Sequence, residues 1–201
     1  MDSPLRDMEK KYKIIYADPP WKYGSKELYG DKINGYKDGQ RKRFTKLERI
    51  YPTMSLQDIK NLRVKDITEE DSACFMWVTD SHLKEGIEVM ESWGFKYKTV
   101  AFVWLKKYTT GTRVYNFAPW TLKSTELCLL GTKGKMSKYK TRNDIKALVE
   151  GERTEHSKKP QEVMFRIESL FQGLEKIELF ARKKREGWDV WGNEVESDIK
   201  L

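Results

Sequence analysis

The apolar positions of this chain fall into short blocks of two kinds, separated by polar and basic stretches. Residues 13–17 and 73–78 are near-continuous apolar runs of strand length. Residues 97–105 and 126–131 are rich in β-branched and aromatic side chains, and 177–181 and 188–191 read as two last strands. Helical spacing fills the gaps. Ser55 is placed to N-cap a short helix running to Leu62. Ser81 opens a helix through Trp93, with Leu83, Ile87 and Met90 on one face and Gly94 as its C′ residue. Residues 161–171 form a third helix, with Pro160 at its first position. This alternation predicts an α/β fold, a mostly parallel sheet with helices on both faces. The 201 residues suit one domain spanning 1–201.

Long loop-like stretches interrupt the alternation at residues 22–50, 111–120 and 133–153. The first is basic and contains Arg41, Lys42 and Arg43; the last is a basic loop. Long loops in a compact domain usually serve function. The 22–50 insert begins immediately after Asp18-Pro19-Pro20-Trp21, so it is placed to close over anything bound there. In sheets of this class ligands sit beyond the carboxyl ends of the strands. Asp18, Thr79-Asp80 and Arg182 all fall at such ends.

Charge narrows the class of partner. The formal net charge is +8 with 35% charged residues, which favours a polyanion, most simply nucleic acid. Cys74 and Cys128 lie in apolar runs without C-x-x-C spacing, and there are only two histidines. Neither a disulfide framework nor a metal site is expected. The polar start Met1-Asp2-Ser3-Pro4 and the lack of a long apolar run predict a cytoplasmic protein with no membrane partner.

Asp18-Pro19-Pro20-Trp21 carries the chemistry. An acid and two prolines at a strand end form a rigid polar ledge, with an indole beside it. Such a ledge accepts hydrogen bonds from an exocyclic amine, while the indole stacks a flat ring. The prolines, lacking N–H, are expected to leave the local carbonyls short of donors. The same four residues also fit an ordinary turn beside a core tryptophan, so their neighbours decide.

Those neighbours form an ordered set. Tyr51-Pro52-Thr53-Met54-Ser55 precedes the first helix, and Phe75-Met76-Trp77-Val78-Thr79 forms a strand end. Trp93-Gly94-Phe95, Val103-Trp104-Leu105-Lys106 and Glu126-Leu127-Cys128-Leu129-Leu130-Gly131 follow. Ser157-Lys158-Lys159-Pro160, then Ile177-Glu178-Leu179-Phe180-Ala181-Arg182 and Gly192-Asn193-Glu194, complete it. In this order they resemble the D-P-P-W adenine-N6 methyltransferase family, which includes the catalytic subunit of the eukaryotic mRNA adenosine methyltransferase.

The resemblance implies a Rossmann-like class I methyltransferase fold with S-adenosylmethionine as cofactor and a permuted motif order. It implies Asp18, Pro19, Pro20 and Trp21 as catalytic residues. Asp18, Lys159, Phe180, Arg182, Asn193 and Glu194 are the implied cofactor site, with Lys159 on the methionine carboxylate and Asn193 and Glu194 on the ribose hydroxyls. Trp21, Tyr51, Arg41, Lys42 and Arg43 are the expected substrate contacts. The family's polar pair after the arginine is replaced here by Lys183-Lys184-Arg185-Glu186. DNA is the favoured substrate; an RNA adenosine methyltransferase and a non-catalytic nucleic-acid-binding subunit are the alternatives. A homodimer or an accessory subunit is compatible with all three.

Overall fold

A computed structural model describes residues 10–22, 53–118, 120–153 and 158–201. The strands are β1 (Tyr12–Ala17), β2 (Thr68–Val78), β3 (Lys96–Lys107), β4 (Thr125–Lys133), β5 (Leu148–Glu152), β6 (Lys176–Leu179) and β7 (Asp189–Trp191). The helices are α1 (Leu56–Asn61), α2 (Leu83–Ser92) and α3 (Gln161–Leu170). All seven strands form one sheet in the order β5-β3-β4-β2-β1-β6-β7. Strand β4 runs antiparallel to both neighbours, while the other pairings are parallel. The expected mostly parallel α/β sheet is therefore present.

Alternation along the central strands creates two cores. Ile15, Ala17, Cys74, Met76 and Val78 face α1 and α2, meeting Ile59, Val89, Met90 and Trp93. Ile14, Tyr16, Ala73, Phe75 and Trp77 face α3, meeting Val163, Met164 and Ile167. These side chains are almost wholly buried, and each large one contributes roughly 1.5–3 kcal/mol by leaving water. Polar atoms on them are paired: Trp77 Nε1 donates to the Tyr16 hydroxyl at 2.6 Å.

Local chemistry sets the element ends. Ser55 Oγ accepts the Asp58 N–H at 3.1 Å and caps α1. Gly94 takes φ +88° behind α2, the conformation expected of a C′ glycine.

Four expectations change. The buried stripe of α2 runs through Gly86, Val89 and Met90, while Leu83 is exposed. Gly86 explains the rotation: a Cβ there would lie 2.4 Å from Val78 Cγ1, so only glycine lets the helix settle on β2. Pro160 is the N-cap of α3, with ψ 129°, rather than its first helical residue. Residues 133–153 are not one loop, because β5 lies within them and extends the sheet edge beside β3. Strand β6 stops at Leu179, because Phe180 turns to φ 63°.

That turn is fixed by the next strand. The Ala181 N–H donates to the Trp191 carbonyl at 2.9 Å. A Cβ on Gly192 would lie 2.1 Å from the Ala181 carbonyl oxygen and 2.8 Å from its nitrogen. Backbone meets backbone there, so no rotamer change relieves an added methyl. Gly192→Ala is expected to destabilise the fold by about 1–3 kcal/mol, the usual cost of overpacking, read as a lower urea midpoint. An unchanged midpoint would show that the two loops separate freely.

Candidate active site

The carboxyl ends of β1, β6 and β7 bound an open cleft of about 610 Å³, solvent included. Asp18, Pro19 and Pro20 form one wall, with Met54 beside them. Phe180, Arg182, Trp191, Asn193 and Glu194 form the other. The Phe180 and Trp191 rings pack edge to face at 5.4 Å. Arg182 Nε lies 3.4 Å from Glu194 Oε1 at a half-exposed position, an arrangement worth at most about 1 kcal/mol.

Asp18 heads a row of alternating charges. Lys159, just before α3, places Nζ 2.8 Å from Asp18 Oδ2 and 3.3 Å from Glu126 Oε2. Glu126 in turn pairs with Lys106 near the end of β3. The Lys159 side chain is 11% exposed, Glu126 15% and Asp18 26%, so these pairs are little screened. Two indoles wall the cations: Lys159 Nζ is 5.7 Å from the Trp77 ring centroid, and Lys106 Nζ 5.2 Å from that of Trp104.

The row sets the charge states. Burial pushes the Asp18 carboxyl up; the Lys159 ammonium opposes this incompletely, so it titrates above an ordinary aspartate. Burial also pushes Glu126 up, but Lys159 and Lys106 together hold it below its ordinary range. For Lys159, burial works against the charged form, and Asp18 and Glu126 outweigh it, so the ammonium persists.

The proline ledge differs from expectation in its hydrogen bonding. The Pro19 carbonyl accepts the Trp21 N–H at 2.9 Å, and the Pro20 carbonyl accepts the Met54 N–H at 3.1 Å. The prolines lack donors of their own, but the following turn and the returning chain supply them. Each carbonyl keeps a second lone pair.

Trp21, expected to stack the target ring as a substrate contact, is instead buried at 6% exposure and is not among the residues lining the cleft. Its Nε1 donates to the Trp77 carbonyl at 3.2 Å, and its ring stacks on His82 at 5.5 Å and 18°. His82 Nδ1 lies 2.9 Å from Thr79 Oγ1, and burial lowers its affinity for a proton. Thr79 and Asp80, read as part of the ligand end, instead hold His82 and Lys123 respectively.

The cleft thus brings together Asp18, Pro19, Pro20, Phe180, Arg182, Asn193 and Glu194, with Lys159 reaching in through Asp18. Tyr51, Arg41, Lys42 and Arg43 lie outside the described residues. Lys184 and Arg185 pair with Asp198 and Glu178. In the sequence Glu126 and Lys106 appear only as members of motifs; the available signal is a charge at one end of an otherwise apolar run. Among the described residues no group of His, Cys, Asp and Glu is arranged to hold a metal ion. No helix among them is long and apolar enough to cross a membrane.

Residues 12–194 match the MT-A70 family model. The chain is 41% identical over 189 residues to the type II methyltransferase M.MunI of Mycoplasma sp, covering 92% of this chain and 78% of that protein. It is 29% identical over 199 residues to a putative N(6)-adenosine-methyltransferase MT-A70-like protein of Medicago truncatula, covering 97% and 28%. It is 26% identical over 190 residues to the human N(6)-adenosine-methyltransferase catalytic subunit METTL3, covering 92% and 28%. The chain spans little more than a quarter of each of these two eukaryotic relatives. The chain belongs to the MT-A70 family, whose methyltransferases take their methyl group from S-adenosylmethionine.

Proposed function

We propose that this MT-A70 protein transfers a methyl group from S-adenosylmethionine to the N6 amine of adenine in DNA. The observation that carries the reading is the Asp18 carboxylate, held by Lys159 on the rim of a cleft opposite Phe180, Asn193 and Glu194. In favour of DNA, the match to the type II methyltransferase is the stronger at 41% identity and takes in 78% of that protein, whereas the matches to relatives named for adenosine take in 28% of each. The whole chain is one class I methyltransferase domain in permuted order. Strand β1, bearing the ledge, precedes β6 and β7, which bear the cofactor wall, and a single antiparallel strand lies in an otherwise parallel sheet.

The residues fit the cofactor's parts. The Asp18–Lys159 pair offers one group to an ammonium and one to a carboxylate, matching an amino-acid end. Asn193 and Glu194 suit a vicinal diol, and Phe180 lines the cleft beside them. When bound, the cofactor's sulfonium supplies an electrophilic methyl and leaves as a thioether.

The protein's share is alignment. The adenine N6 lone pair is conjugated with the ring and weakly nucleophilic. Asp18 and the spare lone pair of the Pro19 carbonyl accept the two N6 hydrogens and turn the nitrogen lone pair toward the methyl carbon. Asp18 need not be a strong base, because methylation acidifies the nitrogen and its proton then leaves readily. Trp21, locked by His82 and the Trp77 carbonyl, buttresses the ledge. An adenine within a duplex cannot reach this cleft, so the base enters flipped or from a single strand.

Asp18→Ala is expected to lower methyl transfer about 100-fold or more even at saturating cofactor, and to weaken calorimetric cofactor binding as well, because Asp18 also faces the cofactor's ammonium. Activity within a few-fold of wild type would sink the assignment. Because the Asp18 pKa is raised, activity should fall with decreasing pH at values above those of an ordinary aspartate. Lys159→Met removes the cation that lowers this pKa, so at saturating cofactor the acid limb of kcat should move to higher pH. An unmoved limb would exclude Asp18 as its origin. Methyl incorporation into duplex DNA, single-stranded DNA and RNA of matched sequence tests the polymer, and incorporation into RNA alone would overturn the DNA reading.

A further inference from the structure

Beyond the same sheet edge as the cleft, β3 and β4 are joined by a folded extension, described at residues 108–118 and 120–124. Its first turn is closed by the Tyr108 N–H on the Thr112 carbonyl and the Gly111 N–H on the Tyr108 carbonyl, both at 2.8 Å. The chain returns along β3, with the Val114 N–H on the Lys106 carbonyl at 2.9 Å. Asn116 and Lys123 then exchange backbone bonds at 2.6 and 2.9 Å, closing a second hairpin. Two side-chain ties brace it: Lys123 Nζ lies 3.3 Å from Asp80 Oδ2, and Arg153 donates to Asn116 Oδ1 at 3.3 Å.

On this braced frame the large apolar side chains face water. Trp120 is 95% exposed and Phe117 65%, with Tyr115, Leu122 and Tyr108 around half exposed. Val114 is buried and anchors the base of the extension. From Tyr108 to Ser124 the sequence holds Arg113 and Lys123 and no acidic residue. Asp80 and Glu150, beside the extension, are engaged by Lys123 and Lys107.

Exposed aromatic plates among cations match a nucleic-acid strand, whose bases stack on ring faces while its phosphates meet the cations. The patch also adjoins the reaction site. Lys106 and Glu126, at the root of the extension, belong to the charged row that ends at Asp18. A strand lying across the hairpin therefore runs toward the cleft.

We propose that residues 108–118 and 120–124 form a docking platform for the single-stranded or locally opened segment flanking the target adenine, with Phe117 and Trp120 stacking its bases. The proposal rests on the nucleic-acid reading given above. It is tested on the full chain by fluorescence anisotropy with a fluorescein-labelled single-stranded DNA oligonucleotide. The Phe117→Ala/Trp120→Ala double variant should bind about ten-fold or more weakly and show a matching rise in the KM for nucleic acid. Cofactor affinity and melting temperature should not change. Phe165→Ala, which removes an exposed aromatic from α3, should leave every readout unchanged. Affinity and KM within two-fold of wild type would overturn the platform. So would a loss of self-association, seen by sedimentation, with nucleic-acid affinity intact; the patch would then bind a second copy. If the wild-type chain itself neither binds nor methylates nucleic acid, the functional reading fails, and that failure is distinct from one confined to the double variant.

Discussion

The charged row from Asp18 through Lys159 and Glu126 to Lys106 is the interaction on which the rest of the site depends. It ties together the end of β1, the entry to α3, the start of β4 and the end of β3. Two acids alternate with two bases, so the formal charges cancel within a partly desolvated space. Removing one member of such a set strands its neighbour, typically at a cost of about 3–5 kcal/mol. The arrangement is therefore as much a structural clamp across four elements as a means of holding the Asp18 carboxylate ionised.

The row exists because β4 is reversed. In the parallel strands, residues at the functional edge come from the carboxyl ends, as Asp18 and Lys106 do. Glu126 is the second residue of its strand, and in a parallel strand it would sit at the opposite edge. Reversal brings it beside Lys159. The same reversal keeps the β3–β4 connection at the functional edge, which is why the aromatic extension carrying Phe117 and Trp120 stands there.

Much of this was legible in sequence, for identifiable reasons. Runs such as Ile14–Ala17 and Ala73–Val78 declare buried strands because both faces are covered, and Ser55 declares a helix start through its cap. The ledge at Asp18 was legible because acid, proline, proline and tryptophan rarely occur together by chance. The stripe on α2 was misplaced because periodicity ranks Leu83 above Gly86, whereas close approach to Val78 favours the residue with no side chain. Strand β5 was hidden in a lysine-rich stretch, because edge strands carry polar residues and its pairing with β3 is non-local. Glu126 and Lys106 were hidden because a pairing across a sheet depends on register and strand direction, which single-residue patterns do not encode.

The contact between Gly192 and Ala181 has a consequence for the cleft. There the two loops touch main chain to main chain, so their separation is set by covalent backbone dimensions rather than by side-chain packing. Lining positions such as Arg182, Asn193 and Glu194 are thereby uncoupled from the gauge of the opening. Exchanging them alters polarity and charge along the wall while leaving its span the same. Polarity can then drift at the lining while the dimensions of the cleft stay fixed by a glycine that contributes no side chain at all.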